Sequence, residues 1–442
     1  MDEKAQIVTW ESHVYFMGFD WATKHHAAVV LDRAGRVVLD LQISHTAEGW
    51  RHLREQLAQV AGPELQQVAA AIETTCGPAV EQLLGLGCTV YPLNPKSAQR
   101  YRDRKAPSGT KTDHLDAWSF ADALRTDGHA WRRLKPEDPK IQELRLLCRD
   151  EVELIGQRTA LVNQLRDAVE AYYPVILEAF EDWTLPAPWE FVQQFPTPEA
   201  LQKAGKRRWE KYLHTHHLSD PRTYTKRLDI FGRATEFCSG PAATNAKSLL
   251  AISLSKQLQL LHRLLRSYRD RIEQLFRQHP DHDLFGSLPG VAEKLGPRLL
   301  SECGDDRSRF EDHEALQCYA GTAPISFQSG QIHRVKFRRA CNKHLRTAVH
   351  QWADRSRFQC TWAQVYYDQK RREGKSHACA TRCLGQRWLK ILWKMWQTKQ
   401  PYDEQIHTRN QTKHGSWVLA LNQQNDASAK SLKKTMRKDL QT

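Results

Sequence analysis

Four acidic side chains in the first third of the chain have the types and the spacing of a metal-dependent catalytic site. Asp20 and Glu73 each end a run of apolar residues, and Asp113 and Asp116 stand three residues apart where a helix is predicted to begin. Carboxylates brought together repel one another unless a cation neutralises them, and their hard oxygens suit Mg²⁺ or Mn²⁺. A two-metal site of this kind aligns a phosphodiester for in-line attack. The pattern therefore predicts a site that cuts nucleic acid.

Each of these acids also has an ordinary structural explanation. Asp20 stands in a position that is typical of a turn-forming residue. Asp113 can cap its helix, with Asp116 favoured by the helix dipole in the first turn. Glu73 is harder to explain in this way, because it closes a strand of small apolar residues. Taken together and in this order, the four acids favour the metal site.

A second candidate for chemistry is a serine in the last third of the chain. Ser329 precedes Gly330 in a predicted turn, where its hydroxyl can be exposed. A serine hydroxyl is a poor nucleophile at neutral pH and needs deprotonation or electrostatic help. Taken alone, such a serine is more often part of a turn, and Ser326 competes with it on the same loop. Basic side chains that can hold a phosphate and stabilise its charge follow closely: His333, Arg334, Lys336, Arg338, Arg339 and Lys343.

Two further segments are predicted to contact phosphate. One is a predicted basic loop at 96–111, which would bring positive charge to the acidic cluster through Arg100, Arg102, Arg104, Lys105 and Lys111. The other is Leu288-Pro289-Gly290-Val291, followed by Gly296-Pro297, which resembles a helix-hairpin-helix turn. In such a turn a glycine lets backbone N–H groups at a helix start meet a phosphate. An ordinary Pro-Gly turn explains the same residues equally well.

The charge balance and the cysteine pattern narrow the class of protein. Lys and Arg number 65 against 51 Asp and Glu, which gives the 442 residues a formal charge of +14 and favours a polyanionic partner such as nucleic acid. The ten cysteines contain no CxxC pair, and no secretory signal precedes them. We therefore expect reduced thiols in a cytoplasmic protein. The chain has no run of about 18 apolar residues, so no membrane span is expected.

The apolar periodicity predicts an α/β region followed by an α-helical one. Strands are predicted at 15–20, 27–32, 37–42, 67–73 and 88–92, with helices at 48–61, at 77–86 and from 113 to 124. This order is that of an RNase H-like fold, whose sites lie at the carboxyl ends of its strands. From about residue 139 the period becomes helical. Two long amphipathic helices, one ending near 173 and one at 249–277, can form an antiparallel hairpin or pair with a second subunit.

Several motifs occur together in an order that is more specific than any one of them. The first third contains Gly18-Phe19-Asp20-Trp21-Ala22, Ile72-Glu73 and Lys111-Thr112-Asp113-His114-Leu115-Asp116-Ala117. The last third contains Leu288-Pro289-Gly290-Val291, Tyr319-Ala320-Gly321-Thr322-Ala323-Pro324, Gln328-Ser329-Gly330 and Asn342-Lys343-His344-Leu345-Arg346. With these motifs the chain resembles transposases of the insertion-sequence "one-ten" family, the DEDD-type serine recombinases of bacterial mobile elements.

The resemblance implies a domain order. It comprises a RuvC-like DEDD catalytic domain at 13–135, a helical coiled-coil region at 136–280, a transposase domain with Ser329 at 281–405, and a basic, flexible tail at 406–442. An insert at 176–245, to which the sequence assigns no structure or chemistry, lengthens the coiled-coil region beyond the family's usual compact form.

The resemblance also implies a mechanism and partners. Ser329 becomes the nucleophile, and Asp20, Glu73, Asp113 and Asp116 become ligands of Mg²⁺ or Mn²⁺. Family members are thought to join the metal site to the serine of a neighbouring subunit and to move their element through a circular double-stranded intermediate. A structured guide RNA from the element's non-coding end, the bridge RNA, pairs with donor and target DNA. The implied setting is therefore the bacterial nucleoid, with double-stranded DNA, guide RNA and a dimer or tetramer of this chain.

Two other functions remain open on the residues alone. A RuvC-like Holliday-junction resolvase or nuclease would use metal-activated water, and it would need the four carboxylates but not Ser329. A non-catalytic DNA-binding protein would need the basic segments and the helical hairpin, but neither the acids nor the serine. A covalent adduct between protein and DNA would distinguish the recombinase from both.

Overall fold

The computed structural model describes residues 9–236 and 238–418. The chain divides into two compact units, of which the first ends at Pro136 and the second begins at Glu137. Each unit has its own hydrophobic core. The finer division predicted from the sequence stays a prediction.

The first unit is built on a five-stranded mixed sheet. Its strands are β1 (Tyr15–Asp20), β2 (His25–Asp32), β3 (Val37–Ser44), β4 (Val68–Ile72) and β5 (Thr89–Pro92). The strand order is β3-β2-β1-β4-β5. β1 pairs antiparallel with β2 and parallel with β4, in a register that sets Phe19 opposite Ile72. The predicted RNase H-like order of strands is confirmed.

Four helices cover the two faces of this sheet: α1 (Ala47–Ala61), α2 (Pro78–Gly85), α3 (Pro95–Lys105) and α4 (Asp113–Asp127). On one face, Trp50 and Leu53 of α1 pack with Phe19 of β1. On the other face, Phe120 and Leu124 of α4 pack with Phe16, Ala69 and Tyr91. β4 is buried along its whole length, which explains its run of small apolar residues.

The predicted basic loop at 96–111 is wrong for its first half, which is the helix α3. Asn94 caps the helix by accepting a hydrogen bond from the backbone N–H of Lys96, and Pro95 occupies the first helical position. Ala98 is the one residue of α3 that is buried. Because α3 has almost no apolar stripe, helical periodicity could not reveal it.

The second unit begins with two long helices, α5 (Pro139–Glu170) and α10 (Pro241–Gln278). Their ion pairs show that they run antiparallel, since Arg271 binds Glu143 and Arg269 binds Glu151, both within 2.9 Å. The predicted helical hairpin is therefore formed within one chain.

The insert between these two helices is itself helical. It contains α6 (Pro186–Gln194), α7 (Pro198–Ala204), α8 (Lys206–Thr215) and α9 (Pro221–Gly232). These short helices pack around buried aromatic side chains, including Tyr172, Trp183, Trp189, Phe191, Tyr212 and Phe231. Three of the four begin at a proline, so the proline punctuation that obscured the insert in the sequence marks helix starts.

The remainder of the second unit is mostly helical. Its helices are α11 (His282–Gly286), α12 (Ala292–Cys303), α13 (His313–Tyr319), α14 (Lys343–Ser356), α15 (Thr361–Arg372), α16 (His377–Thr398) and α17 (Glu404–Lys413). A β-hairpin of β6 (Ile325–Ser329) and β7 (Ile332–Lys336) lies between α13 and α14. Trp352, Trp388 and Trp396 are fully buried in the shared core. No helix within the described ranges is both long enough and apolar enough to span a membrane.

The predicted tail from residue 406 includes most of the helix α17, and the tail as a separate region stays a prediction. Asp403 caps this helix by accepting hydrogen bonds from Gln405 and Ile406. His407 packs on the ring of Trp362, whose indole N–H donates to the hydroxyl of Tyr402. These contacts anchor a segment that is polar apart from Ile406. The rest of the predicted tail, from residue 419, lies outside the described residues.

Candidate active site

Two of the four predicted carboxylates lie at one edge of the sheet. Asp20 is the last residue of β1, and Glu73 follows the last residue of β4. β1 and β4 are adjacent and parallel, so both strands end at the same edge. Each of these two residues is partly buried.

The other two carboxylates come from the first turn of α4. Asp116 is only 4% exposed, whereas Asp113 is exposed. The helix is capped by Thr112, whose hydroxyl accepts from the backbone N–H of Leu115 at 3.1 Å. The carboxylate of Asp113 is therefore not the cap of its own helix, although Asp113 lies in the first turn, where the helix dipole favours an acid.

A glycine in β1 allows α4 to reach the sheet. A Cβ atom added to Gly18 would lie 1.8 Å from the backbone oxygen of Ala117, which no real side chain tolerates. Because Gly18 stands two residues before Asp20, and Ala117 follows Asp116, this close approach brings the two acids together. The sequence contained this signal, since a glycine inside a strand often marks a close backbone approach, but it did not reveal which helix approaches.

The carboxylates interact electrostatically, and Asp20 is affected most. Burial, followed by the charges of Asp116, Asp113 and Glu73, raises the pKa of Asp20 to about 7, although Lys111 lowers it. The shift reflects first the burial of Asp20 and then the charges of its acidic neighbours, which Lys111 compensates only in part. Burial and the charge of Asp116 likewise raise the pKa of Glu73.

One carboxylate of the cluster is already paired with a cation of the chain. Arg102 of α3 donates to Asp116 at 2.6 Å, so this predicted phosphate-binding residue contacts an acid instead. Arg104 pairs with Asp122 at 3.1 Å. Lys105 lies 4.0 Å above the ring of Trp118.

The chemical types of these side chains suit a hard divalent cation, but the side chains stand too far apart in this structure to hold one. Four carboxylates supply the oxygen ligands that Mg²⁺ and Mn²⁺ prefer. Burial raises the pKa of Asp20, and so does the neighbouring negative charge, which a cation would neutralise. Throughout 9–236 and 238–418, however, no three acidic, histidine or cysteine side chains stand close enough to hold an ion. The pairing of Asp116 with Arg102 contributes to this separation.

Ser329 lies at the tip of the β6–β7 hairpin. It pairs with Ile332, so Gly330 and Gln331 form a two-residue turn, and Gly330 has a φ of 54°. Every residue of both strands is exposed, including Ser329. The predicted exposed position of this hydroxyl on a glycine-bounded turn therefore agrees with the structure.

The register of the hairpin separates the two candidate serines. Residues directly opposite each other on paired strands share a face, and neighbours along a strand alternate. Phe327 is opposite Arg334, and Ile325 is opposite Lys336. Arg334 and Lys336 consequently share the face of Ser329, whereas Ser326 lies on the other face with His333.

The other predicted basic residues lie at the base of this hairpin. Arg338 donates to the backbone oxygen of Ala323 at 3.2 Å and so connects the two ends of the hairpin. Arg339 and Lys343 are exposed, the latter at the start of α14.

A buried network that the sequence did not reveal fixes the junction between the hairpin and α14. Asn342 caps α14 by accepting from Leu345, and its amide donates to Glu302 at 2.7 Å and to Tyr319 at 2.9 Å. Glu302 is buried, which favours its neutral form, but bonds from Arg149 and Asn342 hold its pKa below the ordinary value. These partners are distant in sequence, so no local pattern connects them.

Gly290 has a different role from the predicted phosphate contact. Its backbone N–H donates to the side chain of Gln359 at 2.7 Å, so that donor is already occupied. The residue is buried with a φ of 78°, and a Cβ there would lie 2.5 Å from the backbone nitrogen of Ser356. The glycine is required by packing against α14, because a side chain would collide with that helix.

Comparison with known proteins agrees with this architecture. Residues 17–174 match a DEDD-type family model described as a transposase, and residues 282–368 match the family described as transposase IS116/IS110/IS902. The chain is 33% identical over 402 residues to the mini-circle putative transposase for IS117 of Streptomyces coelicolor, covering 90% of this chain and 97% of that protein.

A second relative is the uncharacterized 43.6 kDa protein of insertion element IS110 from Streptomyces coelicolor. It is 28% identical over 394 residues, which is 86% of this chain and 93% of the relative. The match to the IS117 protein covers 90% of this chain, and the two family models match residues in the first and the second unit. The chain therefore belongs to the IS110 family of transposases, enzymes that cleave and rejoin DNA.

Proposed function

We propose that this transposase breaks and rejoins DNA strands through a covalent link to Ser329. The observation that carries the proposal is the exposed position of Ser329 at the hairpin tip, on the same face as Arg334 and Lys336. Two cations on that face can bind the phosphate and stabilise the charge that it gains during attack. Ser326 has no such neighbours on its own face, where His333 and Val335 lie.

The proposed step conserves the phosphodiester bond. The Oγ atom of Ser329 attacks phosphorus, a P–Oγ bond forms, and one P–O bond of the DNA backbone breaks. The proton lost by Oγ is balanced by the proton that the leaving oxygen gains. Attack on the phosphoserine by a hydroxyl of another strand then restores the serine and joins the new strand, without ATP.

The carboxylate cluster is proposed to hold Mg²⁺ or Mn²⁺ for this reaction. Asp20, Glu73, Asp113 and Asp116 would be the ligands, and a cation bound there supplies positive charge for phosphate oxygens and lowers the pKa of an attacking hydroxyl. Burial and, after it, the charges of the neighbouring carboxylates raise the pKa of Asp20, and the contribution of those carboxylates supports this assignment. Lys111, which is exposed beside the cluster, would contact the DNA backbone.

The experiment is a denaturing gel of end-labelled DNA that carries the element ends, incubated with the protein and Mg²⁺. We expect wild type and Ser326→Ala to retain label on the protein, and Ser329→Ala to bind DNA but retain none. If wild type cuts the DNA and leaves only free ends, the metal-activated-water mechanism of a junction nuclease replaces this proposal. Adduct formation by Ser329→Ala would equally exclude the serine.

A guide RNA and self-association complete the proposal. The family resemblance and the charge of +14 support a guide RNA. We therefore expect that a structured RNA from the element copurifies with the protein and is required for target choice.

Self-association is supported by leucines exposed on the long helices, Leu146, Leu249 and Leu260. Light scattering should give a dimer or tetramer, and a monomer at micromolar concentration would contradict this part.

A further inference from the structure

An open groove lies between α1 and α2 of the first unit. Its volume is about 520 Å³, within the range of roughly 300–1,000 Å³ that is usual for small-molecule sites. Residues of α1 and of the segment just before it line one side, and Pro78, Gln82 and Leu86 line the other. The carboxylate cluster does not contribute to this groove, so it is a separate feature of the unit.

Two arginines supply positive charge to the groove. Arg51 and Arg54 stand one helical turn apart on the same face of α1, and both are exposed. Neither makes an ion pair or a side-chain hydrogen bond with any other described residue. This differs from Arg102 and Arg104, which are held by Asp116 and Asp122. The arginines of the groove therefore have their donors available for an external anion.

A pair of histidines adds a neutral donor at the same place. The backbone N–H of Ala22 donates to Nδ1 of His26 at 3.1 Å, so that nitrogen carries no proton. Burial lowers the pKa of His26, which keeps the ring neutral with its proton on Nε2. This proton is donated to Nδ1 of His45 at 2.8 Å. His45 lines the groove, and its remaining nitrogen, Nε2, is consequently the protonated one.

The connectivity locates the groove at the catalytic edge of the sheet. α1 begins three residues after β3 ends, and β3 ends at Ser44, opposite His25, the first residue of β2. α2 begins six residues after β4 ends. The starts of both helices therefore lie at the same edge as Asp20 and Glu73. The histidine pair ends on Ala22, which is two residues beyond Asp20 in the chain.

We propose that this groove binds phosphates of the nucleic-acid backbone, at the edge of the sheet that carries Asp20 and Glu73. Arg51 and Arg54 would each bind phosphate oxygens, and His45 would donate from Nε2. Trp50, Pro78 and Leu86 form an apolar wall against which a sugar can pack. The contact is independent of base sequence, because guanidinium groups on a helix face recognise charge and geometry. This inference rests on the proposed action on nucleic acid.

The experiment measures binding of fluorescent duplex DNA and of a fluorescent RNA hairpin to the full chain, by anisotropy, as a function of salt. Each neutralised phosphate contributes about 0.9 to the slope of log affinity against log salt. We expect Arg51→Ala and Arg54→Ala each to reduce that slope by about 1 and to weaken binding on the order of tenfold. Weaker binding of DNA, of RNA or of both by these variants supports the proposal that the groove binds nucleic acid and identifies which nucleic acid occupies it.

Arg36→Ala is the matched control. Arg36 also carries one positive charge on the first unit, but it lies at the opposite end of the β2–β3 hairpin, where it pairs with Asp32. We expect its slope to equal that of wild type. If the two groove variants behave like Arg36→Ala while wild type binds well, this inference fails and the proposed function stands. If wild type binds neither nucleic acid, the proposed function fails as well.

Chemical footprinting tests the contact directly. Phenylglyoxal modifies accessible arginines, and mass spectrometry of peptides then reports each position. We expect Arg51 and Arg54 to be modified in the free protein and protected by duplex DNA or RNA, with Arg36 unchanged. Protection by a mononucleotide at micromolar concentration, without protection by the polymers, would contradict the proposal and indicate a nucleotide pocket.

Discussion

Arg102 donates to Asp116 across 2.6 Å, so the most buried of the four carboxylates proposed as metal ligands is paired with a cation of the chain itself. The pairing also raises the pKa of Arg102 through its hydrogen bond to Asp116. A metal ion that binds Asp116 must compete with this guanidinium. The ion pair therefore stabilises the metal-free protein and opposes metal binding at the same time.

We predict that Arg102→Ala lowers the unfolding free energy of the metal-free protein but increases the stabilisation that a bound metal ion provides. Loss of one partner of a largely buried ion pair costs about 3 kcal/mol of unfolding free energy. The added negative charge should tighten Mn²⁺ binding about tenfold. The measurement is thermal unfolding with and without Mn²⁺, with Arg104→Ala as the control because its ion pair is exposed. An equal metal-induced shift in both variants would show that Arg102 does not compete with the ion.

The pKa of Asp20 gives a prediction about pH. Its value of about 7 in the folded protein lies above the ordinary 3.8, so the stabilisation from this group is complete below pH 3.8 and is lost as pH rises through 7. Asp20→Asn removes the titrating charge. We therefore expect this variant to be more stable than the metal-free wild type at pH 8, by on the order of 2–4 kcal/mol.

Denaturant unfolding of the two proteins in EDTA at pH 5 and pH 8 measures this difference. The advantage of Asp20→Asn should grow between the two pH values. A saturating divalent cation should reverse it, because only wild type keeps the full ligand set. A difference that is the same at both pH values would mean that Asp20 is not strained by its neighbours.

Gly18 gives a prediction about packing. Gly18→Ala places a methyl group against the backbone of Ala117, where no flexible side chain can move aside. Overpacking of this kind costs about 1–3 kcal/mol or more, and here it should also separate Asp116 from Asp20. Gly85→Ala is the control, because a Cβ at Gly85 meets nothing within 4 Å. We expect loss of both stability and metal binding for Gly18→Ala only, measured by thermal unfolding and calorimetry.

The sequence predicted the features that depend on local periodicity. The strand that ends at Asp20 and the strand that ends just before Glu73 are runs of mostly apolar residues, and the helix that begins at Asp113 buries several apolar side chains. It missed α3 and α17, in which almost no side chain is buried and the caps and distant contacts supply the stability. Such helices have no apolar face, so their sequences show no helical periodicity of apolar residues.

The sequence also could not reveal which side chains meet. The pairing of Arg102 with Asp116 depends on how α3 and α4 pack. The network of Asn342, Glu302 and Arg149 joins residues from three separate helices or their starts. The local sequence around Gly290 matches a phosphate-binding turn, but in the structure its backbone N–H donates a hydrogen bond to Gln359, which is distant in sequence. Long-range packing decides each of these contacts.

The last prediction uses the two faces of the β6–β7 hairpin. Arg334 shares the face of Ser329, whereas His333, the preceding residue, points to the opposite face. If Arg334 stabilises the phosphate under attack, Arg334→Ala should lower the rate of adduct formation about 100-fold. His333→Ala removes an exposed side chain of the same strand, so it should change the rate little.

The rate is measured in single turnover, from the label that becomes attached to protein over time, with DNA saturating so that weaker binding does not contribute. Arg334→Lys separates charge from geometry, because lysine keeps the charge but loses the planar pair of donors. Partial recovery with lysine would indicate simple charge stabilisation, and no recovery would indicate bidentate contact. Equal losses for Arg334→Ala and His333→Ala would mean that the whole hairpin acts in binding, and the assignment of one catalytic face would then be wrong.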